Sequence, residues 1–311
     1  MSPESFADCL LLTGPTGSGK SSLALDLANR LDAEIVCVDS MTLYRGMDIG
    51  TAKPTSADRA RVPHHLLDVL DPWESASVVW WLERAAASVE DITARGKQAL
   101  LVGGTALYLD ALLHGLFDGP GADEAIRRRL AEEAERDGVE ALHSRLMAVD
   151  PVAASRIHAN NVRRVIRALE VYELTGRPIS VWQTQKRKER PPTFADRCLA
   201  LDLPRDRLYE RIDRRVVEMF DAGLVEEVRA LLALPQGLSL QAGQGLGYKE
   251  LLPYLAGEIT REQVIEEVQT RSRNFAKRQM TWFRHLSGCR LVAPQLTFAL
   301  WAPRMKRESR E

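Results

Sequence analysis

Residues 9–30 read Cys9-Leu-Leu-Leu-Thr-Gly14-Pro-Thr-Gly-Ser-Gly19-Lys20-Ser21-Ser-Leu-Ala-Leu-Asp-Leu-Ala-Asn-Arg30. The apolar run Cys9 to Thr13 ends at a glycine-rich turn, and from Lys20 onward apolar residues recur at helical spacing. Strand, turn and helix thus follow one another, and Gly14 to Ser21 satisfies G-x-x-x-x-G-K-[ST] at every fixed position. Glycines there let successive backbone N–H groups point inward around phosphate oxygens, and the helix start adds the positive end of its dipole. Lys20 supplies a point charge and the Ser21 hydroxyl a ligand for Mg²⁺. Gly14, Thr16, Gly17, Ser18, Gly19, Lys20 and Ser21 are therefore the expected phosphate-binding residues, with Mg²⁺ as the cofactor. A nucleotide such as ATP is the default occupant, but a loop of this kind cannot tell a nucleotide from any other diphosphate.

Outward from this motif, a second apolar run, Ile35 to Val38, stops at Asp39-Ser40. A third, Ala99 to Val102, stops at Gly103-Gly104-Thr105 before a helical pattern from Ala106 to Leu113. Short apolar runs bounded by Gly, Asp or Ser are typical of strands covered on both faces by helices. The first half therefore reads as a P-loop NTPase-like parallel α/β sheet, with its ligand beyond the carboxyl ends of the strands. Gly14 to Ser21, Asp39-Ser40 and Gly103 to Thr105 would converge there. Most NTPases carry a metal-holding Asp at the end of a second strand; the run Ala99 to Val102 ends in Gly-Gly-Thr instead. Asp39 is the only acid at a strand end near the loop, placed to hold a metal, to act as a base or to cap a helix. Thr105 could likewise be a cap for Ala106 to Leu113.

From Gly119 the pattern becomes helical and charge-rich up to about Arg190, with N-caps expected at Asp123 and at Asp150, the latter followed by Pro151. Glu189 to Thr193 reads as a connector, and Arg197 to Leu203 restores a strand that could rejoin the sheet. The expected organisation is a core of residues 1–119 and 197–300, an all-helical insertion domain of residues 120–196, and a basic, partly disordered tail of residues 301–311. Amphipathic helices are expected at Arg205 to Leu234 with a break near Gly223, at Tyr248 to Leu255, and at Thr260 to about Leu286.

The 311 residues are 45% hydrophobic, which allows a sizeable core and excludes disorder as a description of the whole. Apolar stretches such as Gln98 to Leu109 fall short of a membrane span. Met1 to Cys9 holds no Lys or Arg, so neither a signal nor a transit peptide is expected. Cys9, Cys37, Cys198 and Cys289 lie far apart without a CxxC pair, which argues against zinc and disulfides and fits a reducing cytoplasm. The net charge of −1 conceals segregation: residues 1–120 hold 9 Lys+Arg against 16 Asp+Glu, and the basic excess lies in Arg156 to Arg190 and Arg271 to Glu311. Such stretches are solvated helix faces or polyanion sites. His64-His65 has no partner at metal-ligand spacing, and Trp80-Trp81 reads as packing. Lys277, Arg278 and Arg284 beside Trp282 and Phe283 combine cations with aromatics as RNA binders do, or form the outer face of a packed helix.

Val38-Asp-Ser-Met-Thr-Leu-Tyr-Arg-Gly-Met-Asp-Ile-Gly-Thr-Ala-Lys-Pro54 closely resembles the tRNA dimethylallyltransferases, also called tRNA isopentenyltransferases. The resemblance extends through the phosphate loop, Val62 to Asp68, Leu101 to Tyr108, Asp150 to His158, Asn161 to Glu170, Gly245 to Glu250 and Ala276 to Arg284. It implies transfer of a dimethylallyl group from dimethylallyl diphosphate to N6 of adenosine 37 in the anticodon stem-loop of tRNA, with loss of diphosphate. It further implies Asp39 as general base and Thr105 as the residue orienting the reacting groups. Arg215 would join the loop on the diphosphate. Asp39, Ser40, Met41, Thr42, Thr105, Arg127, Asn161, Arg163, Arg164, Arg167, Gln244, Gly247, Tyr248 and Lys249 would meet tRNA. Arg163 and Arg167 share a helix face and would form a phosphate-gripping stripe. A cytoplasmic monomer with no membrane association is expected. Gly17 and Gly245 stand where relatives often have Ala, and there is no Cys/His set for the C-terminal zinc finger that some relatives add. A P-loop small-molecule or nucleoside kinase, and an RNA-binding switch without catalysis, are the competing readings.

Overall fold

A computed structural model describes residues 3–116, 119–186 and 197–308. Six strands, β1 (Leu10–Thr13), β2 (Ala33–Val38), β3 (His64–His65), β4 (Gln98–Gly103), β5 (Cys198–Leu201) and β6 (Arg290–Val292), form one sheet. Their order is β3-β2-β4-β1-β5-β6 and every neighbouring pair is parallel. All residues of β1, β2 and β5 are buried, as unalternating apolar runs require when both faces need cover. On one face the helix Lys20–Leu31 and the C-terminal helix Thr297–Glu308 bring Leu27, Leu31 and Trp301 against Leu10, Leu12, Ile35, Leu100 and Val102. The alternate residues Leu11, Val36 and Leu101 point the other way and are equally buried. Trp81, on the helix Val78–Ala94, donates its indole N–H to the Cys37 carbonyl and stacks on Tyr108 at 4.4 Å between centroids. Trp80 is half-buried, with the Arg84 guanidinium over its ring.

The strand order sets the position of the loops. β4 lies between β2 and β1, with Gly103 in register with both Thr13 and Val38. Three strands therefore end in one row, and Gly14, Asp39 and Gly104 each open a loop on the same edge. Gly103 is glycine for a reason of space: a Cβ there would lie 2.1 Å from the Val38 carbonyl oxygen. β5 rejoins the sheet beside β1, Leu11 pairing with Cys198. β3 and β6, of two and three residues, are too short to carry a pattern and were not foreseen.

The chain divides into two compact units, one of Met1–Leu113 with Pro192–Glu311, the other of His114–Pro191. The second holds the helices Glu124–Asp137, Val139–Val149, Pro151–Ala154, Val162–Thr175 and Ile179–Lys186 around Leu130, Leu142, Leu146, Val165, Leu169 and Ile179. Asp123 caps the first of these by accepting the Ala125 and Ile126 N–H groups. The buried Asp150 accepts from Ala153 N–H with one carboxylate oxygen and from Ser180 N–H with the other, fixing the starts of two helices.

Further helices include Ser56–Arg61, Ala106–His114, Arg205–Asp221, Leu224–Leu232 after the break at Gly223, and Arg261–Arg284, which a Thr260–Gln263 capping box opens. Tyr248 to Leu255 is a 3₁₀ turn, Lys249–Leu251, running into the short helix Leu252–Leu255. The segment expected as a basic, partly disordered tail, residues 301–311, begins as helix. Residues through Glu308 are helical, because Trp301 and the neighbouring Phe298 find apolar cover on the sheet, where Trp301 is 1% exposed. Residues 309–311 lie outside the described residues.

Candidate active site

The turn after β1 needs backbone conformations that side chains resist. Gly14, Gly17 and Gly19 have φ of 151°, 79° and 84°. At Gly17 a Cβ would also stand 2.8 Å from Ile212, so alanine there requires both a strained φ and a shift of the helix Arg205–Asp221. Gly245 differs: its φ is ordinary, and a Cβ would meet the flexible end of Met41 at 2.9 Å and the Tyr248 ring at 2.8 Å.

That same helix delivers cations to the loop. Arg215 donates to the Thr16 hydroxyl at 2.5 Å and Arg211 to the Ser18 carbonyl at 3.4 Å. Lys20 reaches the Pro15 carbonyl at 3.4 Å. Burial pulls the Lys20 pKa down to about 8, Asp39 pulls it partly back and Arg215 lowers it further. Burial likewise lowers Arg215, with Asp39 opposing. The buried Ser18 hydroxyl and Arg215 Nε have no hydrogen-bond partner among the described residues. Three cationic groups, those two polar groups and the start of a helix are the makings of an anion site.

Asp39 leaves β2 into a turn that fixes its carboxylate: Oδ1 accepts Met41 N–H at 2.8 Å and Thr42 N–H at 3.4 Å. Thr105 brackets it. The Thr105 N–H donates to the Val38 carbonyl and the Thr105 hydroxyl accepts Ser40 N–H at 3.0 Å. Both partners of that hydroxyl are on Ser40, while Tyr108 and Leu109 N–H bond to the Thr105 backbone carbonyl. Asp39, Ser40, Thr105 and the phosphate loop are thus brought together. Met41 is half-buried beside Gly245, and Thr42 is buried with its hydroxyl unpartnered among the described residues.

Several expected RNA contacts are otherwise engaged. In the second unit Glu170 is fully buried and accepts from Asp123 N–H, Arg127 and Arg167. Burial pushes its carboxyl up, but Arg167, the Asp123 N–H and Arg127 together hold it below the usual carboxylate range. Arg167 also donates to the carbonyls of Pro120 and Gly121. Arg167 and Arg127, both partly exposed, clamp a buried acid, whereas Asn161, Arg163 and Arg164 are exposed without such a clamp among the described residues. Tyr248 is also turned inward, its hydroxyl donating to Glu227 at 2.7 Å and its ring lying against Gly50. Gly247 N–H donates to Glu250, while Gln244 and Lys249 are exposed.

His65 pairs with Glu34 and His64 with the Val62 carbonyl, and no group of three metal-ligating side chains occurs among the described residues. Asn274, Lys277, Arg278, Thr281, Trp282 and His285 line a groove of about 570 Å³ along the helix Arg261–Arg284.

Three residues escaped the sequence reading. Glu227 accepts the N–H groups of Asp48, Ile49 and Gly50 as well as Tyr248, and Lys53 bonds the Tyr44 carbonyl, Asp48 and Asp68; together they hold the segment after Asp39. Gln279 contacts the phosphate loop itself. Its signal was a polar residue on the apolar face of a helix, in line with Ala276, Met280 and Phe283.

The sequence matches the IPP transferase family over residues 42–286. The chain belongs to that family. This family member is 48% identical over 289 residues to a tRNA dimethylallyltransferase from Geobacter metallireducens, covering 91% of this chain and 92% of that one. A tRNA dimethylallyltransferase 1 from Trichlorobacter lovleyi is 46% identical over 284 residues, with 91% and 93% covered. Among solved structures, the full-length tRNA isopentenylpyrophosphate transferase of Bacillus halodurans superposes with a TM-score of 0.68 at 38% identity, covering 97% of this IPP transferase and 98% of that chain. A eukaryotic dimethylallyltransferase acting on tRNA superposes with a TM-score of 0.73 at 28% identity, covering 97% and 77%.

Proposed function

We propose that this protein transfers a dimethylallyl group from dimethylallyl diphosphate to N6 of adenosine 37 in the tRNA anticodon loop. One observation carries the reading. The phosphate loop, Asp39 and the Thr105 turn all begin from a single row of residues, Thr13, Gly103 and Val38, so a leaving group and a base face one small volume.

The diphosphate is gripped by the loop N–H groups, Lys20, Arg215 and the Ser18 hydroxyl. Charge develops on its departing oxygen as the allylic C–O bond breaks, which is where these donors stabilise most. The exocyclic amine of adenine is a weak nucleophile, its lone pair being delocalised into the ring. Asp39 accepts its proton as the new C–N bond forms, and diphosphate leaves. Thr105, tied to Ser40, holds that carboxylate's turn in place. The adenine must leave the anticodon-loop stack to reach it.

Ser21 opens the helix Lys20–Leu31 with its hydroxyl exposed, and Asp39 is the acid beside the loop. Mg²⁺, if bound, would be held on the protein side by the Ser21 hydroxyl and would supply charge neutralisation for the leaving group. Exposed Asn161, Arg163, Arg164, Gln244 and Lys249 are the proposed tRNA contacts, and the enzyme acts as a cytoplasmic monomer.

Kinase chemistry would consume ATP without prenyl donor, and a non-catalytic switch would add no mass to RNA. Incubation with Mg²⁺, dimethylallyl diphosphate and unmodified tRNA, followed by nucleoside mass analysis, decides between them. A C5 addition at adenosine 37 is expected; ATP consumption without it would refute the reading.

A further inference from the structure

Gln279 is a buried polar residue on the inward face of the helix Arg261–Arg284, 6% exposed, and its amide is used at both ends. Oε1 accepts the Thr16 N–H of the phosphate loop at 2.8 Å, and Nε2 donates to the Gly104 carbonyl at 2.9 Å. A Cβ at Gly104 would lie 2.8 Å from that Nε2 and 3.2 Å from the Gly14 carbonyl, so the two loops approach as closely as the amide allows. The next residue, Thr105, bonds Val38 and Ser40 on either side of Asp39. A continuous run of bonds therefore joins the loop that holds the leaving group to the turn that holds the base; among the described residues Gln279 is the side chain that bridges Thr16 and Gly104, next to the Thr13 hydroxyl, which donates to the Gly103 carbonyl at 2.7 Å.

We propose that Gln279 is a positioning residue for the transfer reaction, setting the separation of the phosphate loop from the Asp39–Thr105 turn. The inference rests on the prenyl-transfer reading above. A carboxamide of this length offers a donor to Gly104 and an acceptor to Thr16 from one side chain at any working pH, which a carboxyl can do only when protonated. Docking the helix does not need it, since Ala276, Met280 and Phe283 supply the apolar contact. Transfer requires the amine, the allylic carbon and the leaving oxygen to be aligned within fractions of an ångström, and a misplacement of about 1 Å costs roughly 100-fold in rate. Both amide atoms are taken up by protein groups, the Thr16 N–H and the Gly104 carbonyl, so loss of Gln279 is expected to act on the chemical step rather than on binding. The same helix presents Lys277, Arg278 and Trp282 outward to the groove.

The test compares wild type with Gln279→Leu and Gln279→Glu in the prenyl-transfer assay, with affinities for inorganic pyrophosphate and tRNA measured separately by calorimetry. Gln279→Leu is expected to lower kcat roughly 30- to 100-fold while both affinities stay within about threefold. Gln279→Glu keeps the acceptor for Thr16 but sets a carboxylate oxygen against the Gly104 carbonyl. Protonation restores a donor, so its kcat relative to wild type should climb as pH falls from 8 to 5.5. A purely structural role would move Tm and leave that ratio flat. The proposal is overturned by a kcat within threefold of wild type for Gln279→Leu, by a loss confined to pyrophosphate affinity, or by a pH-independent ratio for Gln279→Glu, which keeps the wild-type shape should the leucine variant fail to fold. Absence of transfer by the wild type would instead overturn the prenyl-transfer reading, and this inference with it.

Discussion

Replacing Lys20 by methionine should make the ligand-free protein more stable. Burial beside the phosphate loop lowers the lysine from 10.5 to about 8, Asp39 only partly offsetting it and Arg215 adding to it. At about 1.4 kcal/mol per tenfold change in proton affinity, holding the ammonium charged at neutral pH costs the fold on the order of 3 kcal/mol. The folded value lies below the unfolded one, so between pH 8 and 10.5 the unfolded chain binds more protons and stability rises with pH; below pH 8 the full cost is present. Lys20→Met keeps the apolar stem and removes the charge. Urea unfolding followed by circular dichroism should therefore show the variant more stable than wild type at pH 7, with a gap that narrows toward pH 10. Saturating inorganic pyrophosphate binds the native wild type preferentially and should reverse the order. A variant less stable than wild type at pH 7 without ligand, or a gap independent of pH, would refute the assignment of Lys20 as a charge stored for an anion.

Asp39→Asn keeps the shape of the turn and an acceptor for Met41 N–H. Transfer should fall about 10²- to 10⁴-fold with tRNA affinity nearly unchanged in filter binding; equal losses would assign Asp39 to RNA grip. Arg163→Ala with Arg164→Ala should reduce the slope of log affinity against log salt by about 1–2, read by the same assay, and leave Tm unchanged. Arg167→Ala should instead leave Glu170 buried with fewer partners and cost about 3–5 kcal/mol of the second unit's stability by chemical denaturation. Glu34 is held down to about 2 by Arg95, with burial opposing and His65 assisting. Its contribution is full above the unfolded value of 4.5 and is lost as pH falls toward 2. Arg95→Ala should accordingly move the acid-unfolding midpoint upward, a shift that tryptophan fluorescence would report.

The strands that frame the site were legible because each is an unbroken apolar run ending in Gly or Asp, and because the βαβ rule puts such ends on one edge. Sequence placed Asp39 and Thr105 near the loop, but not β4 between β1 and β2, which is what makes them neighbours. Partner choice was the illegible part. Arg163, Arg164 and Arg167 look alike along the chain, yet the buried Glu170 captures only the third. Nothing in the helical pattern from Tyr248 to Leu255 signals that Glu227, distant in sequence, claims the Tyr248 hydroxyl. Gln279 lay hidden among the cations around it, because periodicity marks which face is inward and not what a polar group there will bond. The C-terminal helix was misjudged for its charge, although Phe298 and Trp301 outweigh it once a sheet face lies open to them.

β1 has β4 on one side and β5 on the other, and β5 follows the whole second unit in the chain. During synthesis the phosphate-loop strand must therefore wait, one edge bare, until residue 201 has left the ribosome, while the helical segment, whose contacts are local, can already collapse on itself. Arg215 and Gln279 arrive later still. A nascent or truncated product ending before Cys198 carries the phosphate loop, Asp39 and Thr105 but neither Arg215 nor Gln279, and its bare strand edge makes it a substrate for chaperones rather than a partial enzyme.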